Sequence, residues 1–334
     1  MSKQAGQRAV DQTVVPLNDD APDRPGELSK RSWWQVLKRT VKEFNDDHLT
    51  DWAAALTYYA ILSIFPGLLV LLSVFNLLLT DKTEAAVIQS IKDLAPPSLA
   101  GPLTDGIDGL NNTPGAGLFA IIGLVGALWT SSGYISAFMR AANAIYDVPE
   151  GRPIWKTLPI RLGVTLVVGA LIGVAALSVV FTGRLAEEVG GWIGLGKQAV
   201  QVWDIAKWPV LLLVVMLVLA ILYWASPNAR QSGFRWVSPG GVVAVVVWLI
   251  ASAGFAIYVA NFGSYSKTYG TLGGIIVFLI WLWISNIAIL LGAEFDAELE
   301  RGRAIEGGHP QEQEPFIALR DDRKIKEGVD GDLA

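Results

Sequence analysis

The chain has 334 residues, a net charge of −5, 17% charged and 52% hydrophobic residues, 13 tryptophans and no cysteine. A soluble domain carries about 25% charged residues, so an ordinary soluble globule is a poor match. Disulfides, thiolate nucleophiles and cysteine-ligated metals are excluded, and with 2 histidines and no H-E-x-x-H, G-x-S-x-G or Walker A sequence, enzyme chemistry is weakly supported and no histidine–cysteine metal cluster can be assembled, which leaves a purely carboxylate metal site open without positive evidence.

Residues 1–30 mix Pro, Asp, Gln and Gly, which predicts a disordered N-terminal segment with no signal-peptide core to be cleaved. In "SWWQVLKRTVKEFNDDHLTDW", residues 32–52, Trp34, Leu37, Val41, Phe44 and His48 recur at three- and four-residue steps. That spacing predicts an amphipathic helix. It lies either on the inner leaflet, with Lys38, Arg39 and Lys42 towards phosphates, or on the protein's own cytoplasmic face.

Six windows then contain no Asp, Glu, Lys or Arg: 52–80, 109–139, 162–183, 208–229, 236–266 and 268–293. A membrane-spanning helix needs roughly 20 apolar residues, and each window holds one. The expected fold class is an all-α integral membrane protein with six transmembrane helices, at about 54–79, 116–140, 159–182, 208–226, 239–262 and 272–295. A six-helix domain with its leading amphipathic helix covers 31–300, and 301–334 reads as a disordered cytoplasmic tail. Of the 26 Lys and Arg residues, 20 fall in the N-terminal segment, the second and fourth loops and the tail. That asymmetry predicts cytoplasmic N- and C-termini.

Within the first span, Pro66 predicts a kink, and Ser63 is placed to satisfy the freed Leu62 carbonyl. The first outer loop, 80–115, reads as short helices interrupted by Pro96-Pro97. The second carries Trp192, Ile193, Val202 and Trp203, and the third Tyr258, Phe262, Tyr265 and Tyr269, in interfacial patterns. In the second span, Gly126, Thr130 and Gly133 share one face, as closely approaching helices require. Alternatively, Trp129, Thr130, Ser131 and Ser132 line a cavity, together with Trp248 and Trp281. Three mid-membrane indoles, those of Trp129, Trp248 and Trp281, each need a partner, with Ser131, Ser252 and Asn286 as candidates. Before the fifth span, Ser238 suits an N-cap and Pro239 the first helical position. Arg230, Arg235, Ser238 and Gly240 are then a candidate anion or headgroup site, or simply a well-started helix with positive flanks.

The last span ends "WISNIAILLGAEFDAELE". Glu294 and Glu298 share a face with Arg301, while Asp296 and Glu300 fall on the opposite one, towards water. Glu294 closes a packed stripe of Trp283, Ile287 and Leu291 and needs a cation. Arg161 and Arg140 are at its depth, and with Asn143 and Asn286 they complete a candidate intramembrane polar network.

The stretches "ALTYYAILSIFPGLLVL" and "AANAIYDV", the Ser226-Pro227-Asn228 to "SPGG" connection, and "YGTLGGIIVFLIWLWISNIAILLGAEFDAELE" resemble the YihY/BrkB family of bacterial inner-membrane proteins. The likeness covers about 33–300. Trp283 stands where the family often has Tyr, and Gly241 where Ala is common. The resemblance implies a multi-pass protein of the bacterial cytoplasmic membrane and supplies no catalytic residue. The family was once labelled ribonuclease BN, but a zinc-dependent nuclease needs a histidine-rich metal motif that is missing here. The function expected is transport or binding of a lipid or amphipathic anion. The alternative is a non-transporting scaffold or envelope-integrity protein that recruits partners through its cytoplasmic segments. Membrane lipids are the expected partners, with a homo-oligomer as one option. Neither a cofactor, a metal nor a nucleic acid is expected, and the substrate is left unnamed.

Overall fold

The computed structural model describes residues 21–78, 116–180, 197–261 and 265–325. The first outer loop, Trp192, Ile193 and Phe262 lie outside these residues, as do the side chains of Tyr265 and Tyr269. Among the described residues there are seven α-helices and no strand. They are α1 Lys30–Asp46, α2 Leu49–Leu78, α3 Ala116–Ile145, α4 Ile154–Val180, α5 Lys197–Ala225, α6 Phe234–Asn261 and α7 Tyr265–Glu306.

Each long helix covers most of an expected span and starts at or before it, because charge marks where hydrocarbon ends, not where backbone hydrogen bonding ends. Among the described residues, four stretches are long and apolar enough to cross a membrane: Ile154–Val179, Val202–Ala225, Pro239–Ala260 and Gly273–Glu306. In none of the four is more than 22% of the apolar window buried. Leu213, Ile250 and Ile257 are among the large side chains left outside. A continuous apolar surface of that kind suits hydrocarbon, not water.

The chain divides into two compact units. The first takes the described parts of Met1–Tyr58, Tyr134–Val164 and Leu219–Ala334. Its core joins Leu28 and Val36 to Phe295 and Leu299, with Trp33 and Val243 packed on the outside. Trp33 and Phe295 lie 6.1 Å apart, and Phe138 stacks on Tyr223 at 6.2 Å. α1 starts behind Ser29, whose hydroxyl accepts the Ser32 N–H at 3.1 Å, an ordinary N-cap. α1 hands over to α2 within two residues, through Asp47 and His48, and His48 has a φ of 53°.

The second unit takes the described parts of Tyr59–Gly133 and Thr165–Val218. Its hydroxyls bond mostly to their own helices. Thr130 donates to Gly126 O at 2.7 Å and Ser132 to Trp129 O at 2.6 Å. Ser63 donates to Tyr59 O at 2.7 Å, one turn back, and not to the Leu62 carbonyl expected for it. Gly133 lets the Tyr59 ring approach, since a Cβ there would meet it at 3.0 Å. Of the expected small-residue face only Gly133 makes a close contact: a Cβ on Gly126 would meet nothing within 4 Å, and Thr130 is exposed.

Parts of both segments expected to be disordered are ordered, while residues 1–20 and 326–334 lie outside the described residues. Residues 21–30 form a 3₁₀ turn at Pro25–Glu27, and Leu28 is buried. The presumed tail continues α7 to Glu306 and then folds back on the first unit, burying Phe316 and Ile317. Arg230 N donates to Ala318 O and Arg320 N to Asn228 O, which makes an isolated antiparallel bridge. The polar composition concealed two apolar anchors and an arginine that caps carbonyls.

Candidate functional site at the carboxylate-rich end of α7

All four carboxylates of the Glu294–Glu300 stretch are buried. The expectation that Asp296 and Glu300 face water is wrong, because α1, α6 and the α5–α6 turn cover both faces of the helix here. Asp296 Oδ1 accepts the Gly240 N–H at 2.6 Å. Glu300 accepts from Ser232 twice, from N at 2.8 Å and from Oγ at 2.7 Å. Glu298 pairs with Arg39 of α1 and, at 3.6 Å, with Arg301. Glu306 accepts from the Ser29 N–H at 3.1 Å and from the Ser32 hydroxyl. These carboxylates tie α7 to α1, to α6 and to the α5–α6 turn.

The start of α6 also departs from expectation. The helix begins at Phe234, so Pro239 is interior and Ser238 does not precede the first turn. The side chains of Arg235 and Ser238 lie outside the described residues, and Arg230 is exposed. The Gly240 N–H, expected to face an external anion, already holds Asp296. A Cβ on Gly240 would run into Gly292 O and the Asp296 carboxyl, so α6 and α7 touch backbone to backbone.

Glu294 has carboxylates for charged neighbours: Asp47, Glu298 and Glu43. Arg140 is exposed and donates to Ser136 Oγ at 3.1 Å, and Arg161 occupies a partly exposed position on α4. The depth argument placed the three residues in one layer but could not give the direction in which each side chain leaves its helix. Asn143 joins a different network. It accepts the Asn228 N–H at 2.7 Å and donates to Glu150 at 3.0 Å. Asn286 accepts from the Tyr134 hydroxyl at 2.9 Å and donates to Thr57 at 3.0 Å.

Two of the three indoles considered have hydroxyl partners. Trp248 donates to Ser285 at 3.0 Å and Trp281 to Ser252 at 3.2 Å, with the two rings 6.1 Å apart, edge to face. Trp129 is 59% exposed, Thr130 is exposed, Ser131 is partly exposed and Ser132 is buried. These four residues of α3 do not share one lining.

Sequence reasoning missed Asp47, Asp147 and the α1 side of the cluster. Burial, then Glu43, pushes Asp47 up to about 6. Asp147 is exposed at the surface, yet partial burial of its carboxyl, then Glu314 and Asp47, pushes it up to about 7. Asp147 has a φ of 51°, a left-handed conformation that Asp tolerates better than most residues. The available signal was "KEFNDDHLTDW", with its carboxylates crowded against the start of an uncharged span. Among the described residues, no group of three or more His, Asp or Glu side chains is placed to hold a metal ion.

A family model described as Virulence factor BrkB matches residues 40–316. The ribonuclease-like protein YfkH of Bacillus subtilis is 34% identical over 259 residues, 77% of this chain and 92% of that protein. The UPF0761 membrane protein RSc1559 of Ralstonia nicotianae is 28% identical over 278 residues, 79% of this chain but 59% of that longer protein. A UPF0761 membrane protein of Alteromonas mediterranea is 27% identical over 282 residues, 80% and 87% of the two chains. No solved structure matches.

Proposed function

Because the chain belongs to the BrkB family of bacterial multi-pass membrane proteins, we propose that it binds a lipid or amphipathic anion from the inner leaflet and moves it through the membrane. The observation that supports this is the outer face of α1. One face of that helix is locked onto α7 through Val36 and Arg39. The other presents Trp34 at 60% exposure, Leu37, and Val41 at 66% exposure, with Lys38 and Lys42 between them. Lys38 lies 5.4 Å from the Trp34 ring centre. Apolar bulk interleaved with exposed ammonium groups matches an acyl chain below an anionic headgroup. Arg230 and Arg235 add positive charge at the start of α6. In this reading the chain is not a nuclease, since 2 histidines and no cysteine provide no zinc motif.

The test is lipid retention. Full-length protein extracted in mild detergent is expected to carry anionic phospholipid, seen by native mass spectrometry. Combining Trp34→Ser, Lys38→Gln and Lys42→Gln should cut retention several-fold, and adding Arg230→Gln and Arg235→Gln should cut it further. Equal retention in all variants, or no preference for anionic over zwitterionic lipid, would overturn the proposal.

Six spans with both termini in the cytoplasm belong to the same proposal and rest on the Lys/Arg asymmetry. Reporter fusions after residues 150, 230 and 305 are expected to read cytoplasmic, and those after 100, 195 and 266 external. An external reading at 305 would refute six spans.

A further inference from the structure

α4 starts without an acid. The stretch "VPEGRPIWKT", Val148–Thr157, enters the helix at Pro153, whose carbonyl accepts the Lys156 N–H at 2.9 Å and the Thr157 N–H at 3.1 Å. The first turn holds Lys156 and no carboxylate. This end of a helix dipole favours an anion, and its first N–H groups have no partner within the helix.

Two buried groups beside that turn are unmet. Arg152 is 3% exposed and Ser226, on the α5–α6 turn, is 1% exposed. Arg152 donates to Glu150 from Nε at 2.8 Å and from Nη2 at 2.7 Å, and Nη2 also donates to Ser226 O at 2.8 Å. Glu150 further accepts the Arg152 N–H and the Asn143 amide, each at 3.0 Å, so both its oxygens are in use. The Arg152 Nη1 and the Ser226 Oγ are buried with no hydrogen-bond partner among the described residues. They belong to two residues already in contact. Unmet donors are costly in a dry site, and a guanidinium nitrogen with a hydroxyl is a donor set that suits phosphate oxygens.

The anion in place is the protein's own. Asp321 of the folded-back tail accepts from Lys156 Nζ at 2.7 Å and from Arg323 Nη2 at 2.8 Å. The tail lies directly on the α3–α4 turn. The Lys324 N–H donates to Gly151 O at 3.0 Å, and no Cβ would fit between Gly151 and Asp321 O. We propose that Arg152, Lys156 and Ser226 form a phosphate-binding site at the start of α4, and that Asp321 is a tethered competitor that closes it until the tail lifts. The site uses none of the α1 residues and stands without the lipid proposal. Ile154 and Trp155, 73% and 60% exposed, give an acyl chain apolar surface in the same turn. The phosphate therefore comes from a lipid headgroup or from solution, and the experiment separates the two.

Inorganic phosphate is titrated into the full chain in detergent by calorimetry. Asp321→Asn is expected to bind it several-fold more tightly than wild type. Glu312→Gln, the same charge change at an exposed tail position, should bind as wild type does. Added to Asp321→Asn, Ser226→Ala and Lys156→Gln should each weaken binding several-fold. Ser226→Ala removes an unmet buried hydroxyl and should fold at least as well as its parent, so lost binding reports the site and not the fold. Phosphate should also speed hydrogen exchange at residues 318–324 of the wild type. The lipid arm measures phosphatidic acid retention by native mass spectrometry in Asp321→Asn with and without Ser226→Ala. Retention that Ser226→Ala removes identifies a headgroup, and phosphate binding without such a difference identifies a solution anion. Equal phosphate affinity and equal lipid retention in wild type and Asp321→Asn, or binding that neither Ser226→Ala nor Lys156→Gln weakens, would overturn the proposal.

Discussion

Gly292→Ala is expected to destabilise the protein by roughly 2–6 kcal/mol, as overpacking of a close crossing adds to a stranded buried hydrogen bond. A Cβ at Gly292 would stand 2.6 Å from the Tyr223 hydroxyl and 2.7 Å from the Ala244 Cβ, and against the Gly240 carbonyl as well. Backbone and a short, buried side chain cannot swing aside, so α6 and α7 must separate. Separation lengthens the 2.6 Å bond from Gly240 N–H to Asp296, whose Oδ2 already has no partner, and disturbs the 2.7 Å bond from Tyr223 to Ile289 O. Gly254 on α6 is the control. A Cβ there meets nothing within 4 Å, so Gly254→Ala should be neutral or gain about 0.5–1 kcal/mol of helix propensity. Thermal unfolding in detergent separates the two outcomes. Equal melting temperatures for both variants would mean that α6 and α7 do not cross this closely.

The sequence exposed the spans and hid the covering elements, for a physical reason. Hydrocarbon length and the absence of charge are properties of a continuous segment, so the C-terminal ends of α4, α5 and α6 could be placed closely, while the polar turns that extend α5 and α7 could not. Which way Glu294, Asp296 and Glu300 point depends on what packs against each face of α7. The 3.6-residue period assigned Asp296 and Glu300 to a common face correctly. It could not show that α6 and the Ser232 turn would close over that face. The stripe of Trp34, Leu37 and Val41 was read as an apolar side with two destinations. The face that docks on the protein instead holds Ser32, Val36 and Thr40, two of them polar. Thr40 is self-satisfied there, donating to Val36 O at 2.9 Å, so a residue that looks polar in the sequence is cheap to bury. The tail was misread similarly, since Phe316 and Ile317 are two apolar residues in a polar stretch.

Asn228→Ala is expected to release that tail and to lower stability by about 2–4 kcal/mol, because three buried side-chain hydrogen bonds are lost at about 1 kcal/mol each and their partners are left unmet. Asn228 is 0% exposed and joins three segments. Its Nδ2 donates to Pro149 O at 3.1 Å and to Asp321 O at 2.8 Å, and its Oδ1 accepts the Asp321 N–H at 3.1 Å. The α3–α4 turn, the α5–α6 turn and residues 318–324 are therefore held through one side chain. Neighbouring bonds depend on that register. Arg320 donates to Ala229 O at 2.7 Å and to Trp224 O at 2.6 Å, Lys156 pairs with Asp321 at 2.7 Å, and Gly151 lies against Asp321 O with no room for a Cβ. Arg323→Ala is the comparison, since its half-exposed side chain pairs with Asp321, and such surface pairs contribute up to about 1 kcal/mol. Hydrogen exchange read at the backbone amides of residues 318–324 distinguishes local release from global loss. In Asn228→Ala those amides should exchange faster, with α6 and α7 unchanged, while in Arg323→Ala they should stay protected. Unchanged protection of residues 318–324 in Asn228→Ala would show that the arginine and backbone contacts hold the tail without it.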